Sequence, residues 1–245
     1  MQTQIVYEDE AVLVIRKPAG LATESAGIGQ KDVVSELKNY VAKKNPGKMP
    51  YLGVVHRLDQ PVEGLLVFAK TKKAAENLTV QLGKGTLKKE YLAVVCGKVP
   101  ENTGRLVDYL AKEKGMAVVR DTADADAQAK KDADVQSEKA ADPQAKKAVL
   151  TYTKKAENGS LTLLAVQIET GRFHQIRAQL SNAGFPILGD EKYGSEESKE
   201  LSREKKIRFT ALCAASLSFR HPVTGKTMAF TQAPQNPAFA EFVIE

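Results

Sequence analysis

HRLDQPVEGLLVFAKT, residues 56–71, decides how this chain is read. It opens as a polar turn around Asp59 and becomes a near-continuous apolar run from Gly64 to Ala69, which is a strand by length and composition. Thr71 follows as the N-cap of a helix that carries Ala74, Ala75, Leu78 and Leu82 on one face. An acid displayed in a turn ahead of such a strand can act as a nucleophile. The plainer alternative is an aspartate that merely caps its own turn.

Working outward, Ile5 to Tyr7 and Val12 to Ile15 flank the acidic turn Glu8-Asp9-Glu10 and predict a hairpin, closed by Lys17-Pro18-Ala19-Gly20. Val33, Val34, Leu37, Tyr40 and Val41 recur at helical spacing between Asp32 and Lys44, with Asn45-Pro46-Gly47 as the stop. Further strands are expected at Leu87 to Val95, Ala148 to Thr153, Leu161 to Ile168, Thr210 to Phe219 and Thr227 to Phe230. The Asn158-Gly159 turn makes a hairpin of the second and third. A helix is expected from Phe173 to Asn182, with Gly184 as its left-handed cap, and a short one from Pro237 to Ile244. Strand pairs joined more often by short turns than by crossover helices give an α+β fold, with a mainly antiparallel central sheet and flanking helices.

Residues 120–147 break this pattern: they are rich in Ala, Asp, Lys and Gln, and Val135 is their one larger aliphatic side chain. Such a segment cannot bury enough apolar area to offset its ordering entropy, so it reads as a disordered or loosely helical insertion in a single domain spanning 1–245. An RNA-binding element is the alternative. Its six bases against seven acids give −1, which leaves +7 of the overall +6 on the remainder. That charge and a pI of about 9.1 favour polyanionic partners, although many basic proteins bind no nucleic acid. Cys96 and Cys213 stand far apart in apolar runs and read as reduced, buried thiols. With no signal-peptide pattern at the amino terminus and no apolar run near the roughly 20 residues of a membrane span, the expectation is a soluble cytoplasmic protein.

The 56–71 segment resembles the HRLD motif of the RluA family of pseudouridine synthases. LKKEYLAVVCGK (87–98) is similar to that family's tyrosine-bearing strand, and ETGRFHQIRAQLSNAGFPILGD (169–190) to its arginine-bearing helix and following loop. YEDEAVLVIRKPAGL (7–21) and ALCAASLSFRHPVTGK (211–226) fit as well, in the family's order. The resemblance implies the pseudouridine synthase fold, a mainly antiparallel mixed central sheet with flanking helices and loops around a catalytic cleft. It also implies a monomer that isomerises uridine in structured RNA, ribosomal or transfer, without redox cofactor or metal.

On matching positions, the resemblance makes Asp59 the nucleophile, Arg177 its ion-pair partner, Tyr91 the ring packed on the uracil and Leu212 the pocket floor. A carboxylate in a partly dry pocket needs such a cation to stay charged, and guanidinium can bind it bidentately. Without the motif, Arg177 would read as a surface ion pair, and Tyr91 and Leu212 as core residues. Arg57 takes the role of filling the gap left by the flipped nucleotide. His56 reads equally as an RNA contact or a structural residue, whereas His221, before Pro222 in a turn, reads as structural. Arg172, His174 and Gln175 fall where the family lines its RNA-facing cleft, and Lys88 and Lys89, with Lys72, Lys73 and Lys84 nearby, suggest a phosphate track. A solvated helix face explains Lys72 and Lys73 as well. Three departures stand out. Val62-Glu63 replaces the usual Thr and small residue, with Glu63 expected to face away from Asp59. Phe173 replaces Thr, and the small amino-terminal RNA-binding domain of many relatives is not expected here. An RNA chaperone without catalysis and a base-excising glycosylase are the rival readings; the first would not need Asp59, Tyr91 and Arg177 together, and the second would release free base.

Overall fold

The computed structural model describes all residues except 26, 28, 45, 48, 49, 121–144, 244 and 245, so most of the expected insertion lies outside the described residues. Where the sequence reads as one catalytic domain, the backbone groups into two compact units. One holds 1–92 and 209–245, the other 93–208, and each is described by itself.

The first unit opens with β1 (Gln4–Glu8) and β2 (Val12–Lys17), the expected hairpin. Asp9 makes the turn, its Oδ1 accepting from the amides of Ala11 and Val12 at 2.8 Å each. Then come α1 (Val33–Lys44), β3 (Gly53–Val54), β4 (Glu63–Ala69) and α2 (Lys72–Gly83), the last capped by Thr71 Oγ1 on the Ala74 amide. Every residue of β4 is buried, because β4 is flanked on both edges and covered on both faces. Val12, Val14, Leu65, Val67 and Ala69 project to the face where Ala74 and Leu78 of α2 pack. By the period of two, Leu13, Ile15, Leu66 and Phe68 take the other face and are equally buried. β5 (Lys88–Cys96) starts in this unit and ends in the second.

In the second unit β6 (Thr103–Glu113) and β7 (Met116–Arg120) form a hairpin that the sequence reading leaves unassigned. The strand order is β9-β8-β6-β7, with β8 (Lys146–Asn158) longer than expected and joined to β9 (Leu161–Ile168) through the predicted Asn-Gly turn. Strand structure therefore takes in Arg120, Lys146 and Lys147, the two margins of the expected insertion. α3 (Gln175–Asn182) starts two residues later than predicted and places Ala178 on Leu110, Ala117 and Ala148. Gly184 follows in the left-handed region, at φ +86°. α4 (Glu196–Glu204), also unassigned from sequence, is capped by Ser195.

The chain returns to the first unit with β10 (Leu212–Arg220), parallel to β4, and β11 (Thr227–Thr231), antiparallel to β10. A short 3-10 helix, Pro237–Glu241, stands where a helix to 244 was expected. His221 Nδ1 accepts from the amides of Val223 and Thr224, so Nε2 carries the proton and donates to Asp9 at 2.8 Å, a structural role as predicted. Apart from β4 with β10, the strand pairs described are antiparallel, and the fold is α+β. No helix among the described residues is long and apolar enough to cross a membrane.

Candidate active site

Asp59 is half-buried at the head of a turn whose two flanks are both fastened to residues 17–23. On one side Thr23 Oγ1 donates to the Leu58 carbonyl at 2.8 Å and accepts from the Leu58 amide at 3.2 Å. On the other, the Gln60 carbonyl accepts from the Gly20 amide at 2.8 Å and from Lys17 Nζ at 3.1 Å. Gln60 Nε2 returns a bond to the Gly20 carbonyl, and the Val62 amide closes the turn on the Asp59 carbonyl at 3.1 Å. The nucleophile candidate thus sits on backbone held from both neighbours, as a preorganised group requires. Gly20 permits the loop's approach: its φ is +87°, and an added Cβ would meet the Phe209 ring at 2.7 Å.

Lys17, fully buried, completes that loop; sequence reading gave it only to a turn. Its Nζ donates to the carbonyls of Leu21 at 2.6 Å, Pro18 at 2.9 Å and Gln60 at 3.1 Å. Burial drives its pKa down to about 7, against the upward pull of Asp59 and Glu63. Glu63 is buried as well, its Oε1 accepting from the amides of Gln235 and Asn236 at 2.9 and 2.8 Å.

The other first-unit candidates divide by exposure. Tyr91 on β5 and Leu212 at the start of β10 are buried. Arg57 is exposed, 3.6 Å from Glu24. Lys88 is exposed and Lys89 half-buried. His56 turns inward: Nε2 accepts from the Val67 amide at 3.3 Å, and Nδ1 finds no hydrogen-bond partner among the described residues. Burial, aided by the Lys89 charge, holds its pKa well below the usual histidine value, so the ring is neutral. Of its two readings, the structural one fits this placement.

In the second unit Arg177 is buried on α3 and forms a bidentate ion pair with Asp190, Nε to Oδ2 and Nη2 to Oδ1, both 2.7 Å. Its guanidinium also lies 5.1 Å from the Tyr193 ring centroid. Asp190 Oδ1 further accepts from the amides of Lys192 and Tyr193, so this one carboxylate fixes both the arginine and the loop beyond it. Asp190 closes the quoted ILGD segment, yet sequence reasoning gave it no role, because no spacing rule pairs residues 13 apart across a loop.

The approach to α3 is built with equal care. Gln175 is buried, with its amide spent inside the fold: Oε1 accepts from Thr170 Oγ1 and the Arg172 amide, and Nε2 donates to the Val149 carbonyl. It was expected among the RNA contacts; the structure instead has it ordering the loop that presents Arg172 and His174. Arg172 is exposed, its Nε on the Lys147 carbonyl at 2.9 Å. His174 adopts a left-handed backbone, φ +50°, uncommon for a residue with a side chain. Its ring stacks on Phe173 at 3.7 Å, and its Nδ1 lies 2.8 Å from Tyr193 Oη, which accepts from the Ala117 amide. Phe173 is 39% exposed with Lys112 Nζ 4.6 Å from its ring centroid. Both thiols stand well above their ordinary pKa through burial, Cys96 at about 11 and Cys213 at about 12. Among the described residues no three His, Cys, Asp or Glu side chains gather in a way that could hold a metal ion.

Comparison with known proteins bears on this arrangement. Residues 11–182 match the family described as RNA pseudouridylate synthase. A Bacillus subtilis protein, the uncharacterized RNA pseudouridine synthase YlyB, is 32% identical over 99% of this chain and 72% of its own length. The ribosomal large subunit pseudouridine synthase D of Zymomonas mobilis is 33% identical over 95% of this chain and 70% of its own. Among solved structures, human RNA pseudouridylate synthase domain containing 4 shares the fold with a TM-score of 0.72, at 22% identity, covering 97% of this chain and 92% of that one.

Proposed function

The chain belongs to the RNA pseudouridylate synthase family, and from that premise we propose that it isomerises particular uridines in structured RNA, with Asp59 as the catalytic nucleophile. The reaction breaks the bond from ribose to the uracil nitrogen, turns the base and rejoins it to ribose through carbon. A proton leaves that carbon and one returns to nitrogen, so product and substrate are isomers and nothing external is consumed. Attack on sugar, attack on base and assisted elimination all need an ionised carboxylate at a fixed place. The observation that carries the reading is the turn itself, with Asp59 half-buried between two neighbours that are both bonded to residues 17–23.

Tyr91 is assigned to pack on the uracil and Leu212 to floor its pocket, readings supported by their motif positions and their burial. Arg177 is assigned as the cation that keeps Asp59 charged, on the strength of its place in HQIR. Exposed Arg57, Arg172 and Lys88, with Lys89 and His174, suit contacts to phosphate and unstacked bases. The large-subunit name of the Zymomonas relative favours ribosomal RNA over transfer RNA as the substrate. In this reading the protein works as a cytoplasmic monomer and needs no cofactor.

The test maps pseudouridines in total RNA with the gene present, absent, and replaced by Asp59→Asn. The amide keeps the shape of the side chain but is a far poorer nucleophile, so RNA binding should stay within about threefold while product disappears. Measurable turnover by Asp59→Asn removes it from the nucleophile role; release of free uracil would mark a glycosylase instead.

A further inference from the structure

Lys17 is an unusual group to find under a catalytic turn. A lysine is seldom fully buried unless paired, and this one spends its ammonium on three backbone carbonyls, those of Pro18, Leu21 and Gln60. An ammonium has three N–H donors and a neutral amine has two. Loss of the proton therefore releases one carbonyl. The longest bond is the one to Gln60, whose carbonyl keeps a second donor in the Gly20 amide, so it is the first to go. Gln60 is the residue next to Asp59. The charge on Lys17 is thereby linked to how firmly the turn is held.

The charged groups acting on Lys17 come from two elements. Asp59 reaches it from the turn, and Glu63 from the start of β4, one residue from Gly64, the register partner of Lys17. Residues 18–23, which wrap it, carry no ionisable side chain. Cys213 pairs with Glu63 across β10, and its thiol stays protonated because burial and the Glu63 charge both raise its pKa. Arg16, its neighbour on β2, is committed to the Ala233 carbonyl through Nη2. Glu63 is thus a second anion beside Lys17, and its own Oε1 is held by two backbone amides.

We propose that Lys17 is a positioning residue and counter-charge for Asp59, and that Glu63, together with Asp59, favours its protonated form. The proposal rests on the reading of Asp59 given above. Protonated, Lys17 bonds Gln60 and adds positive charge near the nucleophile; neutral, it does neither. The step from uridine to pseudouridine should then slow as pH rises through the Lys17 value, which lies at about 7.

The test measures the single-turnover rate of pseudouridine formation, with enzyme in excess over a substrate RNA, from about pH 5 to about pH 9. Four proteins are compared: wild type, Lys17→Met, Glu63→Gln and Asp59→Asn. The glutamine keeps an oxygen for the Gln235 and Asn236 amides and loses only the charge. The alkaline fall of the wild-type rate should move toward acid by about one pH unit in Glu63→Gln, because a negative charge is lost from a poorly solvated site. Lys17→Met should react on the order of tenfold or more slowly, with RNA affinity unchanged within about threefold and no fall between neutral pH and about 9. A merely structural lysine would lower the amount of folded protein and leave the shape of the pH profile alone. If Glu63→Gln and wild type share one alkaline limb, the proposal is overturned, whether or not Lys17→Met folds. Turnover by Asp59→Asn would instead sink the reading of the nucleophile, so the two failures are distinguishable.

Discussion

Replacing Arg177 by methionine should cost stability as well as activity, and the structure gives the size of the first effect. Arg177 and Asp190 have side-chain exposures of 3% and 1% and share two bonds of 2.7 Å. Removing one partner of a buried pair leaves an uncompensated charge, at a cost of about 3–5 kcal/mol. Here Asp190 keeps the amides of Lys192 and Tyr193, so the lower end, about 3 kcal/mol, is expected for Arg177→Met. Asp190→Asn keeps an oxygen for those amides but takes the bidentate carboxylate from the guanidinium, at about the same cost. In the double variant both charges are gone, and the loss should fall short of the sum by about 2 kcal/mol. Urea unfolding of the four proteins, read as midpoint shifts at unchanged slope, measures this coupling. Additivity within about 0.5 kcal/mol would refute the buried pair as an energetic unit. The same proteins separate structure from chemistry: Asp190→Asn retains the arginine and should keep more turnover than Arg177→Met.

Two further outcomes follow from the first unit. Gly64→Ala should destabilise by about 2–6 kcal/mol, the sum of left-handed strain and overpacking, since Gly64 has φ +138° and an added Cβ would lie 2.6 Å from that of Ala214. A loss under about 1 kcal/mol would contradict it, and the turnover of whatever folds reports on the attached Asp59 turn. Burial works to raise the Glu8 pKa, but Lys44, Lys70 and Tyr40 outweigh it and hold the group at about 2, against an ordinary 4.5. An acid with a lowered folded value contributes stability that is complete above its unfolded value and disappears as pH falls through the folded one. The melting-temperature advantage of wild type over Glu8→Gln should therefore be full near neutrality and shrink between about pH 4.5 and pH 2; an advantage that is flat with pH would exclude the network.

Much of the fold was legible because its strands announce themselves by what they bury. β4 is apolar along its length, and α2 shows its inner face at helical spacing. β6 and β7 escaped because β6 is half-exposed for most of its length, with Arg105, Asp108 and Lys112 interrupting any apolar run. α4 escaped because the residues it buries are Ser198 and Ser202, which give no hydrophobic period. For the candidate site, motif resemblance is what singles out the acid, tyrosine and arginine. Their supports were not: Lys17 looks like a turn lysine and Asp190 like a loop aspartate until the fold brings carbonyls to one and guanidinium to the other. Gln175 shows the converse, a polar residue in a binding motif whose hydrogen bonds all turn inward.

The bond from Glu63 to the amides of Gln235 and Asn236 also bears on the order in which the protein can be made. It joins residues more than 170 positions apart, and β4 receives β10 as its parallel partner only after the whole second unit has been synthesised. Residues 93–208 are thus made before that partner exists, while the strand that follows the Asp59 turn waits with one edge open. Such an edge invites pairing with foreign strands. Slowing translation late in the message should therefore harm the yield of active protein more than slowing it early, since only the last stretch of chain closes that edge.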